Sequence, residues 1–337
     1  MKVKEVVENP ERIVVDLRTP SEYAKGHIPD SVNVPLFTDE ERVKVGTLYK
    51  QAGPEIAFQH GLKFTGPRLA EMTKRVRNLA KGKPLVFYCW RGGMRSKSFC
   101  WLMALGGMNV SRIKGGYKAY RRYIRRAFTE SANMVILGGY TGTGKTDVLL
   151  ELERQGMQIV DLEGVASHKG SVFGHINEAA QPTSEQYENN LFEVWQGIDK
   201  KRVVVVENES ASVGSVSVPE PLYRQMRKAP VVSISIPLNL RVERLVAEYG
   251  VDDTQPLLDA VQRIAKKLGG KNKQLVDTHL RENRFDKACE LLLEYYDKYY
   301  ERGVQARDIE TYQFMDLAGV DLVVDSTRVK ELILATY

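Results

Sequence analysis

Short apolar runs alternate with helix-like segments in the N-terminal part of the chain. Apolar runs that are typical of buried strands lie at residues 12–17, 85–88 and 110–113. Residues 36–80 are charged and mostly helical in pattern, and residues 96–105 predict another helix. Strands that alternate with helices indicate a parallel sheet with helices on both faces. We therefore expect reactive loops at the carboxyl ends of these strands.

A second alternating series begins near residue 133. Apolar runs at residues 134–137, 158–162, 202–206 and 230–236 predict buried strands, and residues 185–198 have helical spacing. This pattern predicts a second parallel-sheet domain.

The pattern becomes mainly helical from residue 252, although the apolar run 320–325 predicts one final strand. We therefore expect three parts along the chain. They are residues 1–126, residues 127–251, and the mainly helical residues 252–337, packed on the second part.

The composition is that of an ordinary globular protein, with 337 residues, 43% hydrophobic and 27% charged. No run of 18 apolar residues predicts a membrane helix, and the first residues do not resemble a signal peptide, so no membrane partner is expected. Three cysteines without paired spacing favour a reducing compartment, the cytoplasm, and no zinc site is predicted. A net charge of +6 does not by itself indicate a nucleic-acid partner.

A cysteine loop follows the run 85–88. Cys89 begins it, and a thiolate near a helix N-terminus and a guanidinium is a good nucleophile. Glycines allow such a loop to turn its N–H groups inward. The residues that suit this role are Arg91, Gly92, Gly93 and Arg95.

A phosphate loop follows the run 134–137, where the sequence matches the pattern Gly-x4-Gly-Lys-Thr between a strand and a helix. Its glycines are Gly139, Gly142 and Gly144. Lys145 is expected to reach the outer phosphate and Thr146 to bind Mg²⁺. The loop specifies a phosphate group, and it leaves open whether a nucleotide binds.

Acidic residues stand at the ends of two predicted strands of this domain. Glu207 or Glu209 resembles the acid of a Walker B strand, and Asp161 is a rival for the same role. Solvated acids at strand ends are the alternative.

The N-terminal part resembles a rhodanese domain. Five elements over residues 5–125 carry the resemblance: Asp16-Leu-Arg18, residues 22–29, Asn33-Val-Pro35, Cys89 and Gly115-Gly116-Tyr117. Simple rhodaneses have the spacing Cys-x4-Arg, whereas this chain has Cys-x5-Arg, which also occurs in cysteine phosphatases. The additional residue makes the loop between the cysteine and the arginine larger. A loop of this size suits a phosphate-sized group, such as selenophosphate, thiophosphate or a phosphoester.

The whole chain is similar to the tRNA 2-selenouridine synthase family. Beyond the rhodanese elements, this resemblance is based on the phosphate loop and on the sequence segments at residues 161–174, 207–210 and 295–299. It implies an α/β fold with an N-terminal rhodanese-like domain, a P-loop NTPase-like parallel-sheet domain and a helical C-terminal part.

The resemblance also implies a reaction. The family converts 2-thiouridine at the tRNA wobble position (U34) to 2-selenouridine, through S-geranylation by geranyl diphosphate and replacement of the geranylthio group using selenophosphate. By resemblance, Cys89 carries or positions selenium, and Arg91 and Arg95 bind the phosphate of the donor. Further residues of the donor-binding loop would be Trp90, Gly92, Gly93 and Met94.

The implied partners are the anticodon arms of tRNAs for Lys, Glu and Gln and a supplier of selenophosphate, with no tightly bound cofactor. Two basic clusters are candidate contacts for tRNA phosphates. They are Arg121, Arg122, Arg125 and Arg126, and Lys266, Lys267, Lys271 and Lys273. A solvated charged face is the alternative interpretation of both.

Three other functions remain open at this point. The Cys-x5-Arg spacing also fits a phosphatase. An ATP-dependent tRNA sulfurtransferase would use both loops as well. A nucleotide-driven regulatory module with an inert rhodanese-like domain is the third.

Overall fold

The computed structural model describes residues 1–9, 11–250, 253–305 and 312–337. The chain divides into two compact units. The first contains residues 1–127 and 188–193, and the second contains residues 128–187 and 194–337. The expected boundary at residues 251–252 lies outside the described residues.

A four-stranded parallel sheet forms the centre of the first unit. Its strands are β1 (Ile13–Asp16), β2 (Val32–Asn33), β3 (Leu85–Tyr88) and β4 (Val110–Arg112), in the order β2-β1-β3-β4. Asp16 pairs in register with Tyr88, so the carboxyl ends of β1 and β3 meet at one edge of the sheet. Cys89 therefore begins its loop at this edge, as the sequence predicts.

Helices surround this sheet, and residues 36–80 are mostly helical as expected. Apolar side chains of β1, β3 and the helix Met94–Leu105 form one buried core, which includes Val15, Phe87 and Phe99. The helices are α1 (Val3–Val7), α2 (Pro20–Lys25), α3 (Asp39–Gln51), α4 (Pro54–Thr65), α5 (Leu69–Ala80), α6 (Met94–Leu105) and α7 (Gly116–Ala127).

A five-stranded parallel sheet forms the centre of the second unit. Its strands are β5 (Met134–Gly139), β6 (Gln158–Val160), β7 (Val204–Glu207), β10 (Val231–Ser235) and β11 (Tyr312–Asp316). The order β11-β10-β5-β7-β6 places β5, which precedes the phosphate loop, beside β7 and β10. The two parallel sheets confirm the predicted α/β architecture.

Helices and one small hairpin complete the second unit. The hairpin consists of β8 (Ser212–Val213) and β9 (Val216–Ser217). The helices are α8 (Lys145–Arg154), α9 (Leu162–Ala166), α10 (Ser184–Gln196, whose residues 188–193 are grouped with the first unit), α11 (Glu220–Lys228), α12 (Leu238–Tyr249), α13 (Gln255–Leu268), α14 (Gly270–Arg281), α15 (Phe285–Gln305) and α16 (Leu322–Thr336).

The prediction of a final strand at residues 320–325 is wrong. The edge strand β11 lies earlier, and residues 322–325 form the first turn of α16. Asp321 caps this helix, because its carboxylate accepts hydrogen bonds from the N–H groups of Val323 and Val324. The apolar run Leu322 to Val324 has only three residues and carries no periodicity, so the cap decides between helix and strand.

In the part of the chain that the structure describes, every helix is too short or too polar to cross a lipid bilayer.

Candidate functional site: a cysteine loop and a phosphate loop

The Cys89 thiol lies in a loop between β3 and α6. Cys89 is only 3% exposed, and its Sγ lies 3.2 Å from Oγ of Ser96, on the first turn of the helix. Trp90 and Met94 flank the loop with 38% and 59% of their surfaces exposed. The sequence interpretation missed Ser96, although its place seven residues after the cysteine, within the first turn of the helix, was a usable signal.

Two glycines let the backbone close tightly around the cysteine. Gly92 has a φ of +63°, and a Cβ at this residue would lie 2.7 Å from the carbonyl oxygen of Ile113. Gly116 has a φ of +59°, and its Cβ would lie 2.1 Å from the carbonyl oxygen of Cys89. The N–H of Tyr117 donates to that same carbonyl at 2.9 Å. The Gly-Gly-Tyr element of the rhodanese pattern therefore closes the cysteine loop.

The two arginines of the loop differ in their surroundings. Arg95 donates to the carboxylate of Glu22, with its Nη1 2.7 Å from Oε2, and only 13% of its side chain is exposed. Burial of Glu22 would raise its pKa, but the hydrogen bond and charge of Arg95 lower it below its usual value. Arg91 is exposed. Arg91 is therefore accessible to an anion, whereas an anion would have to compete with Glu22 for Arg95.

A third arginine, from a later part of the chain, also contacts the loop. Arg112, at the end of β4, donates from Nη1 to the carbonyl oxygen of Gly92 at 2.8 Å. Gly93 is the N-cap of α6 and has no neighbour within 4 Å of its Cβ position. The space beside Gly93 is therefore open to a ligand at the start of the helix.

The phosphate loop joins β5 to α8 in the second unit. Gly139, Gly142 and Gly144 have φ values of +150°, +81° and +76°, which a side chain would disfavour. The ammonium of Lys145 donates to the carbonyl oxygens of Gly139 and Tyr140 at 3.1 and 3.2 Å. The loop residues are thus brought together around Lys145, whose ammonium binds carbonyl oxygens of the loop itself.

Glu207 is the acid that contacts this loop. It ends β7, is 1% exposed, and accepts a hydrogen bond from the Thr146 hydroxyl at 3.0 Å. Its other oxygen accepts from the N–H of Glu163 at 3.1 Å. Asp161 instead accepts from the N–H of Gly164 and caps the short helix α9. Of the three candidate acids, Glu207 is the one whose hydrogen bond to the loop is observed.

Glu163 joins the same cluster, although the sequence interpretation gave it no role beyond that of an acid at the end of a predicted strand. Burial and the nearby Glu209 raise the pKa of Glu163 to about 9. Burial likewise raises the pKa of Glu207 to about 8, with Glu163 adding to the effect, and raises that of Glu209. Glu163 therefore holds a proton that it can share with Glu209. Its position two residues after Asp161, directly beyond β6, was the available signal.

These residues fit a magnesium ion that is bound through a substrate. Mg²⁺ on phosphates takes one or two protein oxygen ligands and fills its other positions with phosphate and water. The Thr146 hydroxyl and the Glu207 carboxylate provide such a pair. Over the described ranges, no group of three or more His, Cys, Asp or Glu side chains is placed to hold a metal ion without a substrate.

The basic residues of α7 have two different environments. Arg121 is buried, and its guanidinium donates to Asn189 and Glu188 within the first unit. The expectation that Arg121 contacts tRNA is wrong, because a buried, paired charge is not presented to a phosphate. Arg125 is exposed but also pairs with Glu188, and Arg122 and Arg126 are exposed.

The lysines of the second cluster lie on α13 and α14. Lys266, Lys267 and Lys271 are exposed, while Lys273 pairs with Asp277 at 2.5 Å. Their exposure leaves the first three able to meet phosphates.

Comparisons with known proteins agree with this geometry. The family model described as tRNA 2-selenouridine synthase AAA domain matches residues 132–319, and the rhodanese-like domain model matches residues 2–123. The rhodanese resemblance and the phosphate-loop domain are thereby confirmed.

Curated relatives named tRNA 2-selenouridine synthase are similar over most of the chain. The relative from Pseudomonas putida is 36% identical, over 88% of this chain and 90% of its own. The relative from Pseudomonas syringae pv. tomato is 37% identical, over 85% and 87%. The relative from Bordetella bronchiseptica is 35% identical, over 87% and 89%.

Two solved structures are similar to part of the chain. One is the N-terminal domain of an ATP/GTP binding protein from Clostridium difficile 630, 38% identical over 37% of this chain and 97% of that one, with a TM-score of 0.36. The other is a rhodanese-related protein from Thermoplasma volcanium, 18% identical over 36% of this chain and 90% of that one, with a TM-score of 0.24. On the family models and the curated relatives, the chain belongs to the tRNA 2-selenouridine synthase family.

Proposed function

We propose that this protein converts 2-thiouridine at the wobble position of tRNA into 2-selenouridine, in two steps at two loops. The first step transfers a geranyl group from geranyl diphosphate to sulfur, and the second replaces the geranylthio group with selenium from selenophosphate. The observation that carries the proposal is that one chain of this family has both a buried thiol loop and a phosphate loop. The names of the curated relatives support tRNA as the substrate.

The first step makes the sulfur into a leaving group. The sulfur of 2-thiouridine attacks C1 of geranyl diphosphate, so that a C–S bond forms and a C–O bond breaks. Diphosphate leaves and the N3 proton of the base is released. The product has an electrophilic C2 that bears a thioether in place of a thiocarbonyl.

The phosphate loop is suited to stabilising the departing diphosphate. Lys145 would exchange the carbonyls of Gly139 and Tyr140 for phosphate oxygens, and the loop N–H groups would bind the others. A Mg²⁺ ion held by Thr146 and Glu207 would supply further positive charge to the diphosphate.

The second step takes place at the cysteine loop. Selenium of selenophosphate attacks C2, geranylthiol leaves, and water then cleaves the Se–P bond to release phosphate. Cys89 carries or positions the selenium donor beside Ser96, and Arg91 binds its phosphate from the exposed side of the loop. Arg95 also binds this phosphate once the donor has displaced Glu22 from its guanidinium.

The tRNA is bound through its backbone and presents a displaced base. An enzyme that modifies a base must take it out of its stack, and the wobble base of an anticodon loop is reached most easily in that way. Exposed cations suited to the phosphates are Arg122, Arg126, Lys266, Lys267 and Lys271. The tRNAs for Lys, Glu and Gln are the proposed substrates, in the cytoplasm, where another protein supplies selenophosphate.

Mass spectrometry of tRNA tests this proposal. A tRNA that carries 2-thiouridine is incubated with the protein, Mg²⁺ and geranyl diphosphate, and then with selenophosphate. We expect a geranylated nucleoside first and 2-selenouridine after the second addition. A tRNA that remains 2-thiouridine in both samples would contradict the proposal.

Three parallel measurements separate the other functions. Formation of 2-thiouridine from uridine only with ATP would indicate a sulfurtransferase. Phosphate release from an aryl phosphate in the absence of tRNA would indicate a phosphatase. Tight ATP or GTP binding that is independent of Cys89, with unchanged tRNA, would indicate a regulatory module.

A further inference from the structure

Helix α12 places an arginine directly over the phosphate loop. A Cβ built on Gly144 would lie 2.6 Å from Nη2 of Arg244 and 2.8 Å from its Cζ. Gly144 is the N-cap of α8 and precedes Lys145 in the loop. The guanidinium therefore lies at the end of the helix where an anion is most favoured.

Arg241, which lies on the same helix as Arg244, has a different role. Arg241 is buried, donates from both terminal nitrogens to Asp297 at 2.9 and 2.6 Å, and donates from Nε to the carbonyl oxygen of Thr141 at 2.9 Å. This bidentate pair fixes α12 and the phosphate loop to α15. Its charge is already matched, so Arg241 acts in the structure of the loop.

Arg244 is held much less firmly. Its side chain is 38% exposed, and the partner of its guanidinium is Asp147, whose side chain is 51% exposed. An ion pair between such exposed side chains contributes only about 0–1 kcal/mol. A diphosphate carries more negative charge than one carboxylate and accepts the two-pronged donor of arginine well. The pair with Asp147 is therefore weak enough for a phosphate to replace it.

We propose that Arg244 is a ligand of the substrate's diphosphate group and acts beside Lys145. The inference rests on the proposed function, because it assumes that the phosphate loop holds a diphosphate. Glu207 contacts Thr146 from the buried side of the loop, and Arg244 supplies a second positive charge on the exposed side.

Binding of inorganic pyrophosphate to the full chain tests the inference. Isothermal titration calorimetry with Mg²⁺ compares the wild-type protein with Arg244→Ala, Arg244→Lys and a matched control, Arg224→Ala. Arg224 is an exposed arginine of the same unit, paired with Glu220 on α11. Thermal unfolding of each variant establishes that it is folded.

We expect Arg244→Ala to bind pyrophosphate at least about tenfold more weakly, the loss of one charge-assisted ligand. Arg244→Lys should recover part of the affinity, because it restores the charge without the two-pronged geometry. Arg224→Ala should bind like the wild type. In geranyl transfer, the KM for geranyl diphosphate should rise in Arg244→Ala, whereas a merely structural role would lower kcat without weakening pyrophosphate binding.

The titrations distinguish failure of the inference about Arg244 from failure of the diphosphate assignment. If the wild-type protein binds pyrophosphate and Arg244→Ala binds it equally well, the inference about Arg244 is overturned while the diphosphate site stands. If the wild-type protein does not bind pyrophosphate, the diphosphate assignment of the phosphate loop is overturned, and this inference with it.

Discussion

The cysteine loop and the phosphate loop use the same structural arrangement for different chemistry. Each begins where a buried parallel strand ends and leads into a helix, and each depends on glycines with positive φ. In the cysteine loop, the thiol lies beside the neutral Ser96, and the charge of Arg95 is directed at Glu22. In the phosphate loop, Lys145 remains on the loop and buried acids lie directly behind it.

The difference shows that backbone geometry alone does not determine what a loop of this kind does. Helix N-termini and inward N–H groups favour any anion. The side chains around them add a thiol in one case, and a cation with an acid that suits Mg²⁺ in the other. Predictions that separate the two loops therefore test the account best.

The largest effect is expected from removing the central residue of each loop. Lys145→Ala should slow geranyl transfer by about 10²–10³-fold, because it removes the charge that stabilises the departing diphosphate. Cys89→Ala should abolish selenium incorporation and leave geranyl transfer unchanged. Mass spectrometry of the tRNA nucleosides measures both steps.

Matched controls for this pair are available in the chain. Lys228→Ala changes an exposed lysine of the second unit, and Cys100→Ala changes a half-buried cysteine on α6. Both should retain both steps. Loss of geranyl transfer in Cys89→Ala would show that the steps are not divided between the loops.

The next effect concerns the closure of the cysteine loop. Gly116→Ala should destabilise the first unit by about 3 kcal/mol or more, because its Cβ would overlap the carbonyl oxygen of Cys89 and its φ is positive. Gly303→Ala is the control, since Gly303 lies within helix α15 and has open space at its Cβ position. Denaturant unfolding of both variants measures the difference, and equal stability would contradict the assigned role of Gly116.

A smaller effect concerns pH and the acids behind the phosphate loop. The folded-state pKa of Glu163 is raised from 4.5 to about 9, so the folded protein keeps a proton that the unfolded chain loses above about pH 4.5. The stability of the second unit should therefore fall as pH rises from about 4.5 to 9. Glu163→Gln should remove part of this fall and be more stable than the wild type at pH 8.5, by about 1–2 kcal/mol.

Thermal unfolding at pH 5 and pH 8.5 in the presence of a chelator measures this dependence. Glu153→Gln, at an exposed glutamate of α8, is the control and should follow the wild type. A Glu163→Gln protein that loses stability with pH as steeply as the wild type would place the responsible group elsewhere.

The smallest effect is expected at the ion pair of the cysteine loop. Glu22→Gln should cost about 1 kcal/mol at pH 7, because it removes the charge that Arg95 meets in a partly exposed pair. The pKa of Glu22 is lowered in the folded state, so this contribution is present above pH 4.5 and is lost as the pH falls below it. Urea unfolding at pH 7 and pH 3.5 measures the change, and an equal difference at both pH values would contradict it.

The sequence predicted most of the fold because the strands are continuous apolar runs between helical segments. Both loops were predicted as well, since each depends on short, local patterns of glycine and charge. The strand predicted at residues 320–325 failed because a short apolar run has no periodicity, and the Asp321 cap directs it into a helix.

The rest of the site depends on contacts between distant parts of the chain. Glu22 meets Arg95 across 73 positions, and Arg244 meets Asp147 across 97. Arg121 was predicted as a tRNA contact from its basic neighbours, but it is buried against Glu188, 67 positions away. Such pairings are set by how the elements pack, and a local pattern of charge does not contain them.

Complementation between two variants, each defective in one step, tests the central claim most directly. Cys89→Ala protein and geranyl diphosphate are used to prepare geranylated tRNA, which is purified and given to Lys145→Ala protein with selenophosphate. If the two loops perform separate steps, Lys145→Ala protein should form 2-selenouridine from this tRNA at the wild-type rate, although it forms it about 10²–10³-fold more slowly from 2-thiouridine. Failure of folded Lys145→Ala protein to use the geranylated tRNA, while the wild type does, would contradict the division of the reaction between the two loops.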